Sequence, residues 1–192
     1  MWSAPVTVTP PDSEPLTLAI VKEFLAIEAD ETLHDAKLGR FIAAARAQAE
    51  AITGTFMVPQ TVRLSASDWS DLVHLPIGPV TAATQIEWQD TEGDWQTLDP
   101  TIYDFGSAGL VAIIRLKPRQ CFPFGKRSGQ DTIRVTLEVG YPELPAALET
   151  AMLIMVADQF AQRESFVTGT IATKVPTSMQ VENLLANYRI WL

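Results

Sequence analysis

Apolar residues recur at helical spacing in two stretches of the N-terminal third of the chain. In the first, Thr17 precedes the apolar residues as an N-cap, which predicts a short helix over residues 17–27. Its expected apolar face consists of Leu18, Val21, Phe24 and Leu25. In the second, small and apolar residues recur up to Gly54, a residue type that commonly ends helices. We therefore expect a second helix over residues 32–53, with an alanine-rich face that allows close approach of a neighbouring element.

The C-terminal part of the chain has a similar pattern. Pro145 suits the first turn of a helix, where its missing N–H would have no partner anyway, and it predicts a third helix over residues 145–164. This helix is apolar around most of its circumference, so we expect it to be buried. Residues 166–192 are predicted to form a polar loop and a last helix over about 178–191. At the other end, four prolines in residues 1–15 predict an extended arm.

Between the second and third predicted helices, the pattern changes to the alternation that is typical of β-strands. Residues 55–140 contain short runs of alternating or β-branched residues, separated by turns rich in glycine, proline and aspartate. The runs are 61–64, 85–88, 95–98, 111–116 and 132–139. Residues 90–95 are typical of a hairpin tip. The sequence therefore predicts an α+β fold. A core of about four helices carries an antiparallel β module of five to seven strands, inserted between the second and third helices.

Composition limits the class of protein. The chain has 192 residues, 47% hydrophobic and 19% charged, which suffices for a buried core without a disulfide or metal. Its one cysteine, Cys121, fits a reducing compartment such as cytoplasm. The formal net charge of −9 disfavours tight phosphate binding, which needs clustered lysine and arginine. We find neither a signal-peptide pattern nor an apolar run of the roughly 18 residues that a membrane span requires.

No pattern indicates a catalytic centre, so we expect neither enzymatic activity nor a cofactor. The chain has two histidines, His34 and His74, but no Gly-x-Ser-x-Gly elbow that would present a serine to one of them. Glu31 and Asp35 lie near His34 along the chain, yet a transition metal needs three or four convergent ligands. We therefore predict no metal site.

Two glycine-rich segments, residues 106–109 and 125–129, invite comparison with phosphate-binding loops. Neither has the Gly-x4-Gly-Lys-Ser/Thr spacing, and neither leads into a predicted helix, so both are predicted to be turns. The second segment lies in the main concentration of basic residues. This cluster consists of Arg115, Lys117, Arg119, Lys126 and Arg127. A solvated strand end is the favoured interpretation, and contact with an acidic neighbour in an assembly is the alternative.

The aromatic residues of the β region leave a carbohydrate-binding or hydrolytic domain open as an alternative function. The relevant residues are Trp88, Trp95, Tyr103 and Phe105. They could form a sugar-binding surface, although such residues are more often cross-strand pairs in a core. Four aspartates lie at predicted turns, namely Asp90, Asp94, Asp99 and Asp104. Their spacing does not define an acid pair for glycoside hydrolysis, because aspartate is expected in turns.

The end of the chain is unusually apolar. Its last residues are Tyr188, Arg189, Ile190, Trp191 and Leu192. Tyrosine, tryptophan and arginine are the residue types that dominate protein interfaces, whereas chain ends are usually polar and frayed. Two interpretations remain open: the segment packs back on its own core, or it binds a partner.

Three blocks of sequence have an order and spacing that is specific when they are taken together. They are residues 16–27 with 41–54, residues 60–64 and 75–80 with the hairpin at 88–98, and residues 139–145 with 151–157 and 162–165. Together they resemble the head-tail connector (adaptor, or head-completion) family of tailed phages and of the related gene transfer agents. The resemblance covers residues 16–165, which would form the connector domain. Asp158 and Phe160 depart from it, because a His and a Tyr are expected there.

The resemblance implies a structural role without catalysis. It implies a ring of about a dozen copies that stacks on the portal protein, receives tail-side neck or stopper proteins, and lets DNA pass through its centre without specific binding. The expected location is the head–tail junction of a virion or phage-like particle assembled in bacterial cytoplasm, with no membrane contact. The portal contact would be made by Tyr188, Arg189, Ile190, Trp191 and Leu192. Acidic residues would line a pore that does not retain phosphate. A related neck or tail-completion protein is the remaining alternative.

Overall fold

A computed structural model describes residues 1–125, 131–161 and 179–190. Its helices are α1 (Leu18–Phe24), α2 (Asp35–Thr53), α3 (Ala146–Ala161) and α4 (Met179–Ala186). Its strands are β1 (Val6–Thr9), β2 (Gln60–Ala66), β3 (Val80–Gln89), β4 (Trp95–Thr97), β5 (Tyr103–Ala108), β6 (Val111–Leu116) and β7 (Ile133–Val139). A short 3-10 helix spans Trp69–Val73. The α+β class, with a β module between α2 and α3, is confirmed.

The chain divides into two compact units, and the first is a β unit built from residues 1–12, residues 54–142 and Ile190. Its main sheet has the antiparallel order β1-β2-β7-β3-β4, and β5 pairs with β6 in a separate hairpin. The central strand β7 alternates between two environments. Ile133, Val135 and Leu137 are at most 3% exposed, whereas Arg134 and Glu138 lie on the other, polar face. The buried face of the sheet and residues of the hairpin form one core.

The proline-rich arm contributes a strand to this sheet. β1 pairs with β2 in an antiparallel register that places Val6 opposite Arg63 and Thr7 opposite Val62. β1 is an edge strand, the position in which a segment flanked by prolines is tolerated, because one side of an edge strand makes no sheet hydrogen bonds. Part of the arm is therefore a component of the β unit.

The second unit is helical and comprises residues 13–53 and 143–189, of which residues 162–178 are outside the description. α2 packs against α3, and α3 packs against α4. Ala45 and Ala49 of α2 are fully buried, as the alanine-rich pattern predicts, because small side chains let a neighbouring helix approach closely. The buried residues of α3 are Leu148, Ala151, Met152, Leu153, Met155 and Val156.

Several helix ends differ from those predicted. Thr17 caps α1 as expected, accepting a hydrogen bond from the Ile20 N–H at 3.3 Å, but the helix ends at Phe24 because Ala26 adopts a left-handed φ of 54°. α2 begins at Asp35, three residues later than predicted. α4 ends at Ala186 and does not reach residue 191; Asn187 follows it, a residue whose side chain competes for backbone hydrogen bonds. The predicted loop at 166–177 lies outside the described residues.

Candidate assembly surfaces

The two tryptophans of the β3–β4 hairpin lie on opposite faces of the sheet. The register pairs Trp88 with Gln96 and Gln89 with Trp95, so the two rings are adjacent in the hairpin but do not share a face. Trp88 packs against the core, and Trp95 lies under the Arg134 guanidinium, whose carbon is 3.7 Å from the ring centroid. Trp88 and Trp95 therefore do not form one sugar-binding platform.

The other two aromatic residues belong to the core. Tyr103 is 8% exposed and lies in the core cluster, and Phe105 packs against it. Burial raises the pKa of the Tyr103 phenol above its usual value. Both residues therefore belong to the core of the β unit and do not form a sugar-binding surface.

The histidines occupy separate, structural settings. The His34 ring packs edge-on against Phe160, with centroids 5.4 Å apart, and its Nε2 lies 3.6 Å from a Glu31 carboxylate oxygen. His74 is exposed, and its carbonyl oxygen accepts a hydrogen bond from Trp2 Nε1 at 3.0 Å. Within residues 1–125, 131–161 and 179–190, no three His, Cys, Asp or Glu side chains are grouped as metal ligands.

Two of the turn aspartates bond to the backbone and neighbouring side chains of their own turns. Asp90 Oδ1 accepts hydrogen bonds from the N–H groups of Glu92, Gly93 and Asp94 at 3.0 Å each, and Oδ2 accepts one from Gln96 Nε2 at 3.0 Å. These bonds, the Gln96 bond foremost, lower the pKa of Asp90. Hydrogen bonds from Thr101 similarly lower the pKa of Asp99. Stabilisation of the turns thus accounts for both aspartates.

The β5–β6 hairpin carries the described part of the basic cluster. Arg115 and Arg119 are exposed, and Lys117 Nζ lies 3.6 Å from Asp104. Lys126 and Arg127 lie outside the described residues. The predicted turn at 106–109 is placed differently, because residues 106–108 belong to β5 and the turn is made at Gly109, with φ of 62°.

The outer face of this hairpin is apolar and basic. Ala112 and Ile114 of β6 point into the core, so Val111, Ile113 and Arg115 point outward. Val111 is 48% exposed, and Ile113 lies across Gly106, where an added Cβ would be 3.5 Å from Ile113 Cγ1. We call the outward residues Gly106, Ala108, Val111, Ile113 and Arg115 the hairpin surface.

The β unit has an open cleft of about 210 Å³. Trp69, Trp88 and Phe124 line it, and Trp69 stacks on Phe122 with centroids 4.3 Å apart. The described residues of the cleft offer one carboxylate, Asp68, whose pKa is lowered by a backbone hydrogen bond from Ser70. That carboxylate caps the 3-10 helix, so it has a structural partner already.

The C-terminal segment is described as far as Ile190, and this residue packs on its own β unit. A Cβ added at Gly78 would lie 3.3 Å from Ile190 Cδ1, and one added at Gly54 would lie 3.7 Å from Ile190 Cβ. The segment is thus anchored at Ile190. Trp191 and Leu192, the last two residues of the predicted portal contact, lie outside the described residues.

The helix α1 has its polar and apolar residues in unusual places. Lys22 is only 6% exposed, whereas Ile20 and Phe24 are 36% and 48% exposed. Ile20 and Phe24 lie one turn apart on a single face, and the buried Val21 and Lys22 lie on the other side. The apolar face expected from the sequence is therefore divided between the core and solvent.

Lys22 connects α1 to the loop that follows it. Its Nζ donates hydrogen bonds to the carbonyl oxygens of Glu31 at 2.6 Å and Ala29 at 3.4 Å. It also forms a close ion pair with Asp35, whose Oδ1 lies 2.6 Å from Nζ. The exposed acids Glu28 and Asp30 belong to this loop, so Lys22 holds them beside α1.

None of the described helices has the length and apolarity needed to cross a membrane.

The chain shares its fold with chains of solved gene transfer agent particles. No protein-family model matches the chain, and no curated protein matches it. Among solved structures, a chain in the neck of an empty gene transfer agent particle, computed with C6 symmetry, superposes with a TM-score of 0.77 at 20% identity; the match covers 99% of this chain and 97% of that one. The protein has the fold of that neck chain.

Two further structures agree. A chain in the virion of a native gene transfer agent particle gives a TM-score of 0.77 at 21% identity, with coverage of 99% of this chain and 97% of that one. A chain in the neck of a native particle, computed with C12 symmetry, gives 0.68 at 19% identity and covers 96% of each chain. The shared fold extends over nearly the whole chain, including the arm and the last helix, which the sequence resemblance had left out.

Proposed function

We propose that this protein is a head–tail connector (adaptor) subunit of a tailed phage or phage-like particle, with a structural and not a catalytic role. The observation that carries the proposal is the fold likeness to a gene transfer agent neck chain, at a TM-score of 0.77 over 99% of the sequence. The two chains share a fold over nearly their full lengths, which makes them candidates for the same place in an assembly.

We propose further that copies of the chain form a ring of about a dozen subunits. The neighbouring structures include necks computed with C6 and with C12 symmetry, which supports cyclic assembly. In such a ring, each subunit contacts its two neighbours through two different surfaces. The ring would lie under the portal at the head–tail junction, with tail-side proteins on its other face.

The charge of the chain fits the passage of DNA. A net charge of −9 gives the ring a surplus of acid, so its pore would not retain the phosphate backbone. Neutralising the pore-lining acids should raise nonspecific DNA binding or slow DNA transfer. Unchanged binding and transfer in such variants would contradict this part of the proposal.

The principal experiment is to isolate particles from cells that produce this protein and determine the structure of the neck by electron microscopy. The proposal predicts this chain in a ring between the portal and the tail. It also predicts that cells lacking the chain accumulate filled heads without tails. Complete, transfer-competent particles made without the chain would refute the proposal.

We propose that the C-terminal segment binds the portal, through Tyr188, Arg189, Ile190, Trp191 and Leu192. Because Ile190 packs on the β unit, a truncation that removes it would confound binding with folding. Deletion of residues 191–192 alone should weaken binding to purified portal while leaving the circular dichroism spectrum unchanged. The matched variant Ile190→Ala should lower stability. Full portal binding by the deletion variant would refute this contact.

A further inference from the structure

The exposed face of α1 has the composition of an interface. Ile20 and Phe24 are large apolar residues on the solvent side of a helix that buries a lysine on its other side. Burial of an ammonium group is costly and is tolerated here because the loop carbonyls and Asp35 surround it. The arrangement holds Ile20 and Phe24 outward in a fixed position.

One acidic residue lies beside this apolar face. Glu23 is exposed on α1 one turn from Ile20, whereas the loop that Lys22 binds, with Glu28 and Asp30, is on the Lys22 side of the helix. Lys22 is the one lysine or arginine between positions 14 and 36, and its side chain is buried. The same stretch also contains His34. We call Ile20, Phe24 and Glu23 the α1 surface. Its partner should be apolar and basic.

The hairpin surface has this complementary character. It presents Val111 and Ile113 on the outward face of the two strands, opposite the small residues Ala108 and Gly106. Arg115 lies at the end of this face, and Lys117 and Arg119 follow it, with Asp104 as the one acid paired across the strands. Each surface therefore combines exposed apolar side chains with charge, which is acidic on α1 and basic on the hairpin.

We propose that the α1 surface of one copy packs on the hairpin surface of the next copy in the ring. This inference rests on the proposed function, because a closed ring requires two different, mutually complementary surfaces on each subunit. Ile20 and Phe24 cover Val111 and Ile113, and Glu23 approaches Arg115. Each copy uses its α1 surface toward one neighbour and its hairpin surface toward the other.

Cysteine crosslinking tests the contact with one small substitution near each surface. The exposed alanines Ala19, on α1, and Ala108, on the hairpin, are replaced by cysteine in a Cys121→Ser background. Under mild oxidation, the double variant should give a ladder of oligomers, whereas a mixture of the two single variants should give dimers only. In the control, Thr97→Cys replaces Ala108→Cys, because Thr97 is also exposed but lies on β4. The control should give at most a tenth of the crosslinked product.

Charge reversal gives an independent readout. Glu23→Arg and Arg115→Glu should each reduce crosslinking several-fold, and the variant carrying both should recover most of it. Maleimide labelling of the cysteines and circular dichroism establish that each variant is folded and that its thiols are accessible.

The outcomes separate the contact from the function. A ring of this chain seen in isolated necks, without the Ala19–Ala108 crosslink in the protein or in particles, would overturn the contact and leave the proposed function intact. Absence of the chain from isolated particles would overturn the function. Crosslinking equal to that of the Thr97 control would overturn the contact in either case.

Discussion

Replacement of Lys22 by methionine tests whether the buried lysine stabilises the helical unit. Methionine preserves the length and flexibility of the side chain but removes the charge and all three N–H donors. The variant therefore loses the hydrogen bond to the Glu31 carbonyl at 2.6 Å, the longer one to Ala29, and the ion pair to Asp35. We expect the free energy of unfolding to fall.

The size of the effect follows from the surroundings of each partner. A hydrogen bond from a charged donor contributes about 1.5–3 kcal/mol, and the 2.6 Å bond to Glu31 is the strong one here. The Asp35 side chain is 29% exposed, so its ion pair is partly screened and adds at most about 1 kcal/mol. The variant no longer buries an ammonium group, which offsets part of the loss. We expect a net cost of about 2 kcal/mol.

Urea unfolding followed by circular dichroism measures this cost, with Lys117→Met as the matched control. Lys117 has the same side chain in an ion pair at 3.6 Å and a hydrogen bond to the Thr101 carbonyl at 2.9 Å. Both are exposed to water, so its replacement should cost about 0–1 kcal/mol. For Lys22→Met, about 2 kcal/mol corresponds to a fall in melting temperature of about 4–8 °C for a chain of this size. A Lys22→Met protein as stable as the wild type would refute the reasoning. Equal losses in both variants would show that burial is not the cause.

Three other predictions follow from the structure. Gly140→Ala should cost at least about 2 kcal/mol, because φ is 105° and a Cβ would overlap the Val58 carbonyl; wild-type stability in urea would contradict this. Gly39→Ala should stabilise the protein by about 0.5–1 kcal/mol, because Gly39 lies inside α2 with open space around it, and a lower urea midpoint would contradict this. Asp90→Asn should destabilise the protein at neutral pH. Because the folded pKa of Asp90 is below 3.8, the carboxylate contributes stability above that value and loses it as the pH falls through the folded pKa. The difference in melting temperature from wild type should therefore shrink in acid, and a constant difference would count against this account.

Local pattern was sufficient to predict the elements that bury one continuous face. α2 and α3 were predicted to within three residues at each described end, and β6 was predicted without error, because their apolar residues follow one period throughout. The β3–β4 hairpin was predicted from its turn chemistry, and Asp90 explains why: its carboxylate bonds to three consecutive N–H groups of the turn.

Elements that depend on distant partners were predicted less well. β1 gains its strand character by pairing with β2, which local sequence does not reveal. β5 was missed because Gly106 and Ser107 favour a turn, whereas pairing with β6 keeps both extended. The burial of Lys22 and the exposure of Phe24 arise from the loop that closes over the lysine, so the helical period alone assigned Phe24 to the packed face.

The path of the chain between the two units has a consequence for biosynthesis. The chain begins in the β unit, passes to the helical unit at residue 13, returns at residue 54, leaves again at residue 143 and returns with Ile190, so each unit is assembled from separated segments. β2 pairs with β7, which is translated roughly 70 residues later. At about 5–20 residues per second, the edge of β2 therefore stays unpaired for several seconds. α2 likewise lacks its packing partner until α3 has been translated. During synthesis, the nascent chain therefore exposes apolar surface of both units until the partner segments have emerged.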